Sequence, residues 1–510
     1  MLIVTLLAFL SICDGYRVLL FFPIPGKSHS ILGEAYIRHL VNAGHEVTYI
    51  TPIPIKTPPA RVRQVDISET AGLLSEELFN IEKLMYKELD LQQISLFEVV
   101  LRNFLNGTLH GKAMHKFLHD PKEEYDVVIV EWLYSELGSG LSTVFNCPLI
   151  WSTSTEVHSG IISLIGDDLN PSYAINIWDR DFSSPLYRFK NLWTYLENKY
   201  NKWTYVEPEN LIFEQAYRTA VELRGRRLPS FDEVRFNASI MLGNSHIAAG
   251  ESYPLPQAYK MIGGYHLKGV MEPLPKDLQK IMDEAKDGVI YFSLGTMLRS
   301  SALPEAKKRE LLTAFSKLKQ TVVWKHETPM SNVPKNVHVL QWAPQQSILA
   351  HPNTILFITH GGLLSLYELL DVGVPLIGIP MFGDQFTNIN RAVLKGFAKR
   401  FDIGEQPVSQ LVEYIKEMIE NPLYRQRAKE MSLVFHSHVV PPGQELVHWV
   451  EHVIKTRGAP HFRSVSMRLH FYQKYYLDLL TFILLLLSTI VYVAIKILKR
   501  KTPVDLKKHE

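Results

Sequence analysis

The stretch Trp342–Gln385 reads WAPQQSILAHPNTILFITHGGLLSLYELLDVGVPLIGIPMFGDQ. Two apolar runs of strand length, ILFIT and PLIGIP, enclose a glycine pair and a helix pattern that contains one glutamate. Buried strands that alternate with helices are typical of a parallel sheet with helices on its faces. Ligands bind such sheets at the carboxyl ends of the strands. The stretch therefore predicts an α/β fold with a binding site at Gly361 and Gly362.

The same alternation occurs in two parts of the chain, which predicts two Rossmann-like domains with a cleft between them. From Tyr16 the sequence reads as strand, helix and strand, and further strand patterns start at Tyr125 and Cys147. Residues 155–235 are looser and rich in aromatic side chains. A more regular series begins after the glycines and prolines of 263–275. We expect an N-terminal domain over 16–265, a C-terminal domain over 266–440 and a helical return over 441–476.

Both ends of the chain carry an apolar segment. Residues 1–15 have the short apolar run and small residues of a signal peptide, although a buried first strand is an alternative. Residues 477–495 are long and apolar enough for a transmembrane helix, with a buried core helix as the alternative. Aromatic residues precede this helix and basic residues follow it, which places the tail 496–510 in the cytosol.

Lys507 and Lys508 resemble the dilysine retrieval signal of endoplasmic-reticulum membrane proteins, although a solvated basic tail would look the same. We therefore expect a single-pass type I protein of the endoplasmic-reticulum membrane, with a luminal body that contacts membrane lipid. Two glycosylation sequons fit a luminal body. We expect Asn106 in a loop beside Gly107, whereas Asn237 precedes an apolar run close to the core.

The composition limits the kinds of partner. The 510 residues are 46% hydrophobic, which is sufficient for two domain cores. The net charge of +2 provides no field for binding nucleic acid. Of the two cysteines, Cys13 belongs to the expected signal peptide, so we expect no internal disulfide. A homo-oligomer is left open.

Three short motifs resemble sites of other chemistry without completing them. Gly26-Lys27-Ser28 lacks the first glycine of a P-loop. His360-Gly361-Gly362 could form an oxyanion loop, but no G-x-S-x-G supplies the nucleophile of a hydrolase. Asp179-Arg180-Asp181 has the spacing of a metal-binding D-x-D, yet its irregular aromatic surroundings favour solvated surface. The sequence also has no H-E-x-x-H and no cysteine cluster, so we expect no metal site.

Trp342-x-Pro344-Gln345, the glycine pair and the closing Asp384-Gln385, together with the two apolar ends, resemble the UDP-glycosyltransferase family. The resemblance is to its membrane-bound branch of UDP-glucuronosyl- and UDP-glucosyltransferases, glycosyltransferase family 1, and covers nearly the whole chain. It implies a GT-B fold, with a small lipophilic acceptor in the N-terminal half and UDP-glucose or UDP-glucuronate in the C-terminal half. The UDP-sugar is then a donor co-substrate, and no cofactor is expected.

The resemblance assigns donor contacts that also make physical sense. Trp342 offers a flat face for uracil, and Glu368 can accept hydrogen bonds from two ribose hydroxyls. The backbone N–H groups at a helix start suit a diphosphate, and glycines allow its close approach. Asp384 and Gln385 resemble the family's sugar-binding pair. The assigned donor-site residues are Gly295, Thr296, Trp342, Gln345, His360, Gly361, Gly362, Ser365, Glu368, Asp384 and Gln385.

One position departs from the family pattern. Many members have an asparagine two residues after the second glycine, where it reaches the phosphate, and this chain has Leu364. Ser365 or backbone groups must then provide the missing donor contact.

The catalytic pair is expected in the other domain. His29 follows the first strand, at the position of the family's catalytic histidine, and a near-neutral imidazole can take a proton from an acceptor hydroxyl. Glu131 ends a later strand where the family usually has an aspartate, and a carboxylate there would orient the imidazole. An ordinary loop histidine and a structural glutamate are the alternatives.

The expected reaction is a single displacement with inversion, in which a hexose moves from UDP to a hydroxyl of a small lipophilic acceptor, for detoxification or conjugation. Glucose is favoured over glucuronate. The alternative function is a catalytically inactive nucleotide-sugar-binding membrane protein. We expect the aromatic-rich region of 155–235 to line the lipophilic pocket and, in part, to touch the bilayer.

Overall fold

Two parallel sheets form the framework of the computed structural model, which describes residues 15–89, 94–174 and 184–500. The first sheet has seven strands in the order β3-β2-β1-β4-β5-β6-β7, and the second has six in the order β10-β9-β8-β11-β12-β13. The predicted α/β fold is therefore confirmed. The strands are β1 (Arg17–Phe21), β2 (Glu46–Thr51), β3 (Val62–Asp66), β4 (Val127–Trp132), β5 (Leu149–Thr153), β6 (Ile240–Gly243), β7 (Tyr259–Met261), β8 (Val289–Ser293), β9 (Thr321–Lys325), β10 (Val337–Leu340), β11 (Thr354–Thr359), β12 (Leu376–Gly378) and β13 (Ala398–Arg400).

Helices pack against both sheets and separate most, but not all, successive strands. In the N-terminal half they are α1 (Lys27–Asn42), α2 (Ile81–Met85), α3 (Ile94–Leu109), α4 (Lys112–Leu118), α5 (Gly140–Phe145), α6 (Ser159–Ile162), α7 (Pro171–Ala174), α8 (Pro185–Thr204), α9 (Val206–Glu222) and α10 (Phe231–Arg235). In the C-terminal half they are α11 (Lys276–Glu284), α12 (Glu305–Phe315), α13 (Gln345–Ala350), α14 (Leu363–Val372), α15 (Gln385–Leu394), α16 (Val408–Glu420), α17 (Pro422–Phe435), α18 (Pro442–Lys455), α19 (Phe471–Lys474) and α20 (Leu477–Arg500).

The central strands form because their side chains are apolar on both faces of the sheet. All six residues of β4 and all five of β5 are buried, as expected of parallel strands covered on both sides. The edge strands β3, β7 and β13 were not predicted. Their sequences VRQVD, YKM and AKR are short and contain polar residues, so they show no strand pattern of their own. They are strands because they pair with the neighbouring strand of the sheet.

The helical return crosses from the second sheet back to the first. Leu446, Val450 and Val453 of α18 are fully buried in the same core as residues of β1 and α1. His45, which precedes β2, lies 3.3 Å from the Glu451 carboxylate of α18. The C-terminal part of the chain is thus packed on the N-terminal half. The domain limits at 265 and 440 stay a prediction.

The helix α20 contains one segment, Leu477–Lys499, that is long and apolar enough to cross a membrane. Most of the predicted signal peptide, Asp179-Arg180-Asp181, and the lysines 507 and 508 lie outside the described residues. Cys147 is a free cysteine.

The expectation that the aromatic-rich region lines the lipophilic pocket is wrong where the structure describes that region. The aromatic side chains of α8 do not line the cavity between the sheets, and Trp193, Tyr200 and Trp203 are exposed on the outer surface. The path of the chain after β5 determines where α8 lies. An aromatic composition alone could not show that the helix lies away from the cavity.

The expectation for the sequons is also reversed. Asn106 lies in the last turn of α3 and is half-buried, not in a loop, because the helix continues through Gly107. Asn237 is exposed in the irregular segment between α10 and β6. A glycan is bulky and needs solvent around its attachment point.

We predict that Asn237 carries a glycan and Asn106 does not. Replacing Asn237 with Gln should abolish the gel-mobility shift caused by glycosidase treatment, whereas Asn106→Gln should leave that shift unchanged. A shift that is lost in Asn106→Gln and kept in Asn237→Gln would contradict the assignment. No shift in the wild type would contradict the luminal body.

Candidate active site

A cavity of about 430 Å³ lies between the carboxyl ends of the two sheets. One part of its wall is apolar and comes from the N-terminal half, and the other part is polar and comes from the second sheet. The cavity contacts ten of the eleven assigned donor-site residues, all except Gly361, and also His29. The apolar wall consists mainly of Ile24, Leu74, Leu78, Phe79, Leu96, Phe97, Val100, Leu101 and Leu133.

His29 and Glu131 are in direct contact. His29 lies in the first turn of α1, directly after β1, and Glu131 lies near the end of the adjacent strand β4. Nδ1 of His29 is 2.5 Å from Oε1 of Glu131, a charge-assisted hydrogen bond. The glutamate side chain is completely buried, whereas the histidine is 17% exposed and lines the cavity. The carboxylate therefore fixes the ring and leaves Nε2 available to a ligand.

The electrostatic surroundings of His29 favour its protonated form. Burial alone would lower the pKa of His29, but the charge and hydrogen bond of Glu131, with a contribution from the charge of Asp384, raise this pKa above its ordinary value. Asp384 belongs to the C-terminal half. Because the charge of Asp384 affects the pKa of His29, the two halves of the cavity wall meet at His29.

Four polar side chains at the start of α13 and on α14 bond to one another. Gln345 donates from Nε2 to Oγ of Ser365 at 2.8 Å and to Oε2 of Glu368 at 2.5 Å. Gln346, which sequence reasoning missed, donates to the other carboxylate oxygen of Glu368 at 3.1 Å. Burial raises the pKa of Glu368, and these amide bonds oppose that rise. The carboxylate is thus held in place before any ligand binds.

The glycine-rich turn between β11 and α14 packs around the ring of His360. A Cβ on Gly295 would lie 2.5 Å from this ring, and one on Gly362 would lie 2.6 Å from it. Gly295 and Gly361 also have φ of +87° and +86°, which side chains rarely allow. Burial and the nearby charge of Lys325 lower the pKa of His360 to about 4. His360 is therefore neutral at physiological pH, and its ring N–H can donate a hydrogen bond to a ligand without bringing a charge.

Lys325 is a cavity residue that sequence reasoning missed. It ends β9, and its Nζ donates to the carbonyl oxygen of Gly295 and to Glu327, both at 2.7 Å. The side chain is only 9% exposed. The sequence could have indicated Lys325 as a site residue, because it ends a predicted strand and ligands bind at the carboxyl ends of strands.

The pair that ends the stretch Trp342–Gln385 is oriented by its own helix and turn. Asp384 accepts a hydrogen bond from Asn388 at 2.9 Å. The amide oxygen of Gln385 accepts from the backbone N–H groups of Met381, at 2.9 Å, and Phe382, at 3.2 Å. Gln385 can therefore offer its amide N–H groups to a ligand, while Asp384 offers carboxylate oxygens.

Trp342 and Thr296 lie at the rim of the polar part of the cavity. Trp342 follows β10 and is 63% exposed, which is unusual for tryptophan and leaves a ring face accessible for stacking. Thr296 follows the turn at Gly295 and is half-buried. The structure thus brings His29 and all the assigned donor-site residues to one cleft, with Gly361 and Glu131 directly behind its wall.

A family model described as UDP-glucoronosyl and UDP-glucosyl transferase matches residues 18–509. The chain belongs to the UDP-glycosyltransferase family. Membership makes it an enzyme that transfers a sugar from a UDP-sugar donor.

Relatives of the transferase come from distant animals. UDP-glucosyltransferase 2 of Dactylopius coccus is 32% identical over 482 residues, covering 93% of this chain and 91% of the relative. UDP-glucuronosyltransferase 2C1 of Oryctolagus cuniculus is 29% identical, covering 92% of this chain and 95% of the relative.

Solved glycosyltransferases share the fold of the transferase. VinC, solved in complex with DTDP, matches with a TM-score of 0.55 at 15% identity, covering 86% of this chain and 99% of VinC. The calicheamicin glycosyltransferase CalG4 gives a TM-score of 0.55 at 17% identity, covering 88% of this chain and all of CalG4. These likenesses confirm the GT-B fold.

Leu364 has a structural explanation in the transferase. Its side chain lines the cavity and packs against the core that contains β1 and α1 of the N-terminal half. The residue that replaces the expected asparagine therefore contributes an apolar contact between the two halves. Ser365 stays as the neighbouring hydroxyl on α14.

We predict that Glu131→Gln moves the acid limb of kcat/KM to lower pH. A general base must be neutral to accept a proton, so with His29 in that role activity should fall as the pH drops through the pKa of His29. Glu131 raises that pKa, and without its charge the burial of His29 lowers it. At high pH, loss of the orienting carboxylate should still reduce turnover, by roughly 10²-fold or more.

The matched control is Glu34→Gln on α1, the helix that contains His29. Glu34 accepts hydrogen bonds from Ser30 and Lys27, and none of the charges that shift the pKa of His29 comes from it. Its pH profile should follow the wild type. If the acid limb of kcat/KM in Glu131→Gln falls at the same pH as in the wild type, the contact with Glu131 is not what raises the pKa of His29.

Proposed function

We propose that the transferase is an inverting hexosyltransferase in which His29 is the general base and Glu131 its orienting partner. The observation that carries the proposal is the buried 2.5 Å contact between Nδ1 of His29 and Glu131, at a cavity whose opposite wall contains Asp384. A nucleotide-sugar-binding protein without catalysis would have no need to keep this buried pair at the donor site.

The proton chemistry follows from which ring nitrogen is occupied. Nδ1 carries a proton and donates it in the hydrogen bond to Glu131, so the lone pair of Nε2 can accept the proton of an acceptor hydroxyl. As the oxygen attacks the anomeric carbon, the C–O bond to UDP breaks on the opposite face. Glu131 stabilises the imidazolium that results, and a single displacement of this kind inverts the anomeric centre.

The departing UDP carries the negative charge that develops in the reaction. The N–H groups at the start of α14, neutral His360 and Thr296 are suited to receive the diphosphate. Lys325 adds a buried positive charge on the same side of the cavity. Trp342 would stack on uracil, and Glu368, held by Gln345 and Gln346, would accept the ribose hydroxyls. We propose no cofactor and no metal in this scheme.

The charge of the cavity wall favours glucose as the transferred hexose. Glucuronate would bring a carboxylate, and a buried carboxylate needs a cationic partner. Among the cavity-lining residues that the structure describes, the lysines are Lys268 and Lys325, and arginine is absent. Lys325 already pairs with Glu327, and Asp384 lies where the sugar would be. A neutral sugar with several hydroxyls suits Asp384 and Gln385 better.

The acceptor is proposed to be a small lipophilic alcohol or phenol. The wall beside His29 is formed by aliphatic and aromatic side chains from the turns after Leu74 and from α3. Such a surface gains free energy from burying apolar area, about 25 cal/mol per Å². Conjugation of such a molecule with a hexose makes it water-soluble, which fits a role in detoxification.

We further propose that the transferase is a type I protein of the endoplasmic-reticulum membrane, with α20 as its span and a luminal body. The apolar length of α20 and the basic residues that follow it support this placement. The resemblance of Lys507 and Lys508 to a retrieval signal supports the compartment.

We predict that His29→Ala lowers turnover by roughly 10²- to 10⁴-fold, the usual contribution of general base catalysis, and leaves UDP-sugar affinity intact. The donor contacts belong to the other half of the molecule, so calorimetric titration should report an unchanged Kd. His110→Ala, an exposed histidine of the same half, is the control. Turnover near that of the wild type in His29→Ala would remove His29 from the mechanism.

We predict a faster turnover with UDP-glucose than with UDP-glucuronate when one phenol is tested with a panel of UDP-sugars. Lys325→Gln separates two roles of that lysine. If it contacts the diphosphate, activity should fall about equally with both donors. A selective loss with UDP-glucuronate in Lys325→Gln would show that Lys325 serves the sugar carboxylate. That loss, or a preference of the wild type for UDP-glucuronate, would overturn the glucose assignment.

A further inference from the structure

The helix α8 has an outward face that is unusual for a protein in water. Its large apolar side chains recur at intervals of three and four residues, which places them on one side of the helix. Each of them is between 51% and 75% exposed. They are Leu186, Phe189, Trp193, Leu196, Tyr200 and Trp203, here called the α8 stripe.

The opposite face of the helix is polar where it meets the protein. The buried residues of α8 are Tyr187 and Asn191, and Asn191 is completely buried. A surface helix in water normally turns its apolar face to the core and its polar face to solvent. In α8 the apolar face is turned outward and the polar face inward. This orientation suits an apolar environment outside the protein and not water.

The helix α8 lies beside the start of the apolar helix α20. The hydroxyl of Tyr195, on α8, is 3.4 Å from that of Tyr475. Lys474 forms an ion pair of 3.0 Å with Asp167, in the segment that leads to α8. Since α20 begins at Leu477, these contacts hold α8 at the level where the chain would pass into a bilayer.

The composition of α8 also suits the border between lipid headgroups and acyl chains. The helix contains four cationic residues and one acidic residue, and tryptophan and tyrosine are enriched at this border. Lys190 flanks the stripe, where its long stem can lie along lipid while the charge reaches phosphate. Twenty residues give a helix about 30 Å long, enough for a broad contact.

We propose that α8 lies in the plane of the bilayer that contains α20, with its stripe buried in the interfacial layer. The body of the transferase is then held by two elements, a span and a surface helix, so it cannot rotate freely about α20. The proposal rests on the membrane placement of α20 and is independent of the identity of donor and acceptor.

Quenching of tryptophan by brominated phosphatidylcholine tests the proposal with the full chain in liposomes. The span contains no tryptophan, so any lipid-dependent quenching must come from the rest of the chain. We expect clear quenching in the wild type and loss of most of it in the double variant W193F/W203F. Phenylalanine keeps the stripe apolar, which preserves the fold and the binding.

Trp449→Phe is the matched control. Trp449 belongs to α18 and packs against Lys260 and Phe462, away from α8. Its quenching should equal that of the wild type. Equal quenching in the wild type and W193F/W203F, or none in a wild type that has incorporated, would overturn the surface helix alone. Failure of the full chain to incorporate would overturn the membrane placement together with it.

A second copy of the chain is the competing occupant of the stripe. A thiol label at Leu196→Cys distinguishes the two, since Cys147, the other described cysteine, is only partly exposed and burial raises the pKa of its thiol to about 12. Insertion in lipid shifts the label's emission to the blue at every protein density. Cross-linking that grows with protein density, without a lipid-dependent blue shift, would assign the stripe to a dimer and refute the proposal.

Discussion

The site depends on the fixed position of two sheets whose carboxyl edges face each other. A buried hydrogen bond of 2.5 Å joins Tyr367 of α14 to Glu156, which follows β5, and the return helix α18 packs the C-terminal part of the chain on the first sheet. Burial raises the pKa of Glu156, while the charge of Arg391 and the bond from Tyr367 oppose that rise. A buried carboxylate of this kind is costly without its partners, so separation of the halves is disfavoured.

That constraint links donor binding to the position of the base. Tyr367 is the neighbour of Glu368 on the same helix, so the contact between the halves and the ribose contact share one rigid element. Across the cleft, the charge of Asp384 contributes to the raised pKa of His29. The basicity of the proposed catalytic group is therefore a property of the assembled cleft and not of the N-terminal half alone.

Sequence reasoning succeeded where a pattern reports a local requirement. Gly295 and Gly361 both have a positive φ, and a Cβ would collide with the ring of His360 at Gly295 and with Ile389 at Gly361. Such positions are readable from a motif. It failed where a residue's role depends on chain path. Asn106 continues a helix, and α8 turns its aromatic residues outward instead of into the cleft. Lys325 was missed because a single lysine at a strand end has no motif around it.

By itself, the sequence determined the two α/β halves, the long apolar C-terminal helix and the candidate donor-site side chains, because hydrophobic period and glycine placement are local properties of the chain. Only the tertiary structure decided that Glu131, one methylene longer than the expected aspartate, contacts His29 directly. It also decided that Leu364 joins the two halves and that the α8 stripe faces outward. Each of these depends on distances between segments far apart in the chain, which hydrophobic packing and buried hydrogen bonds set together.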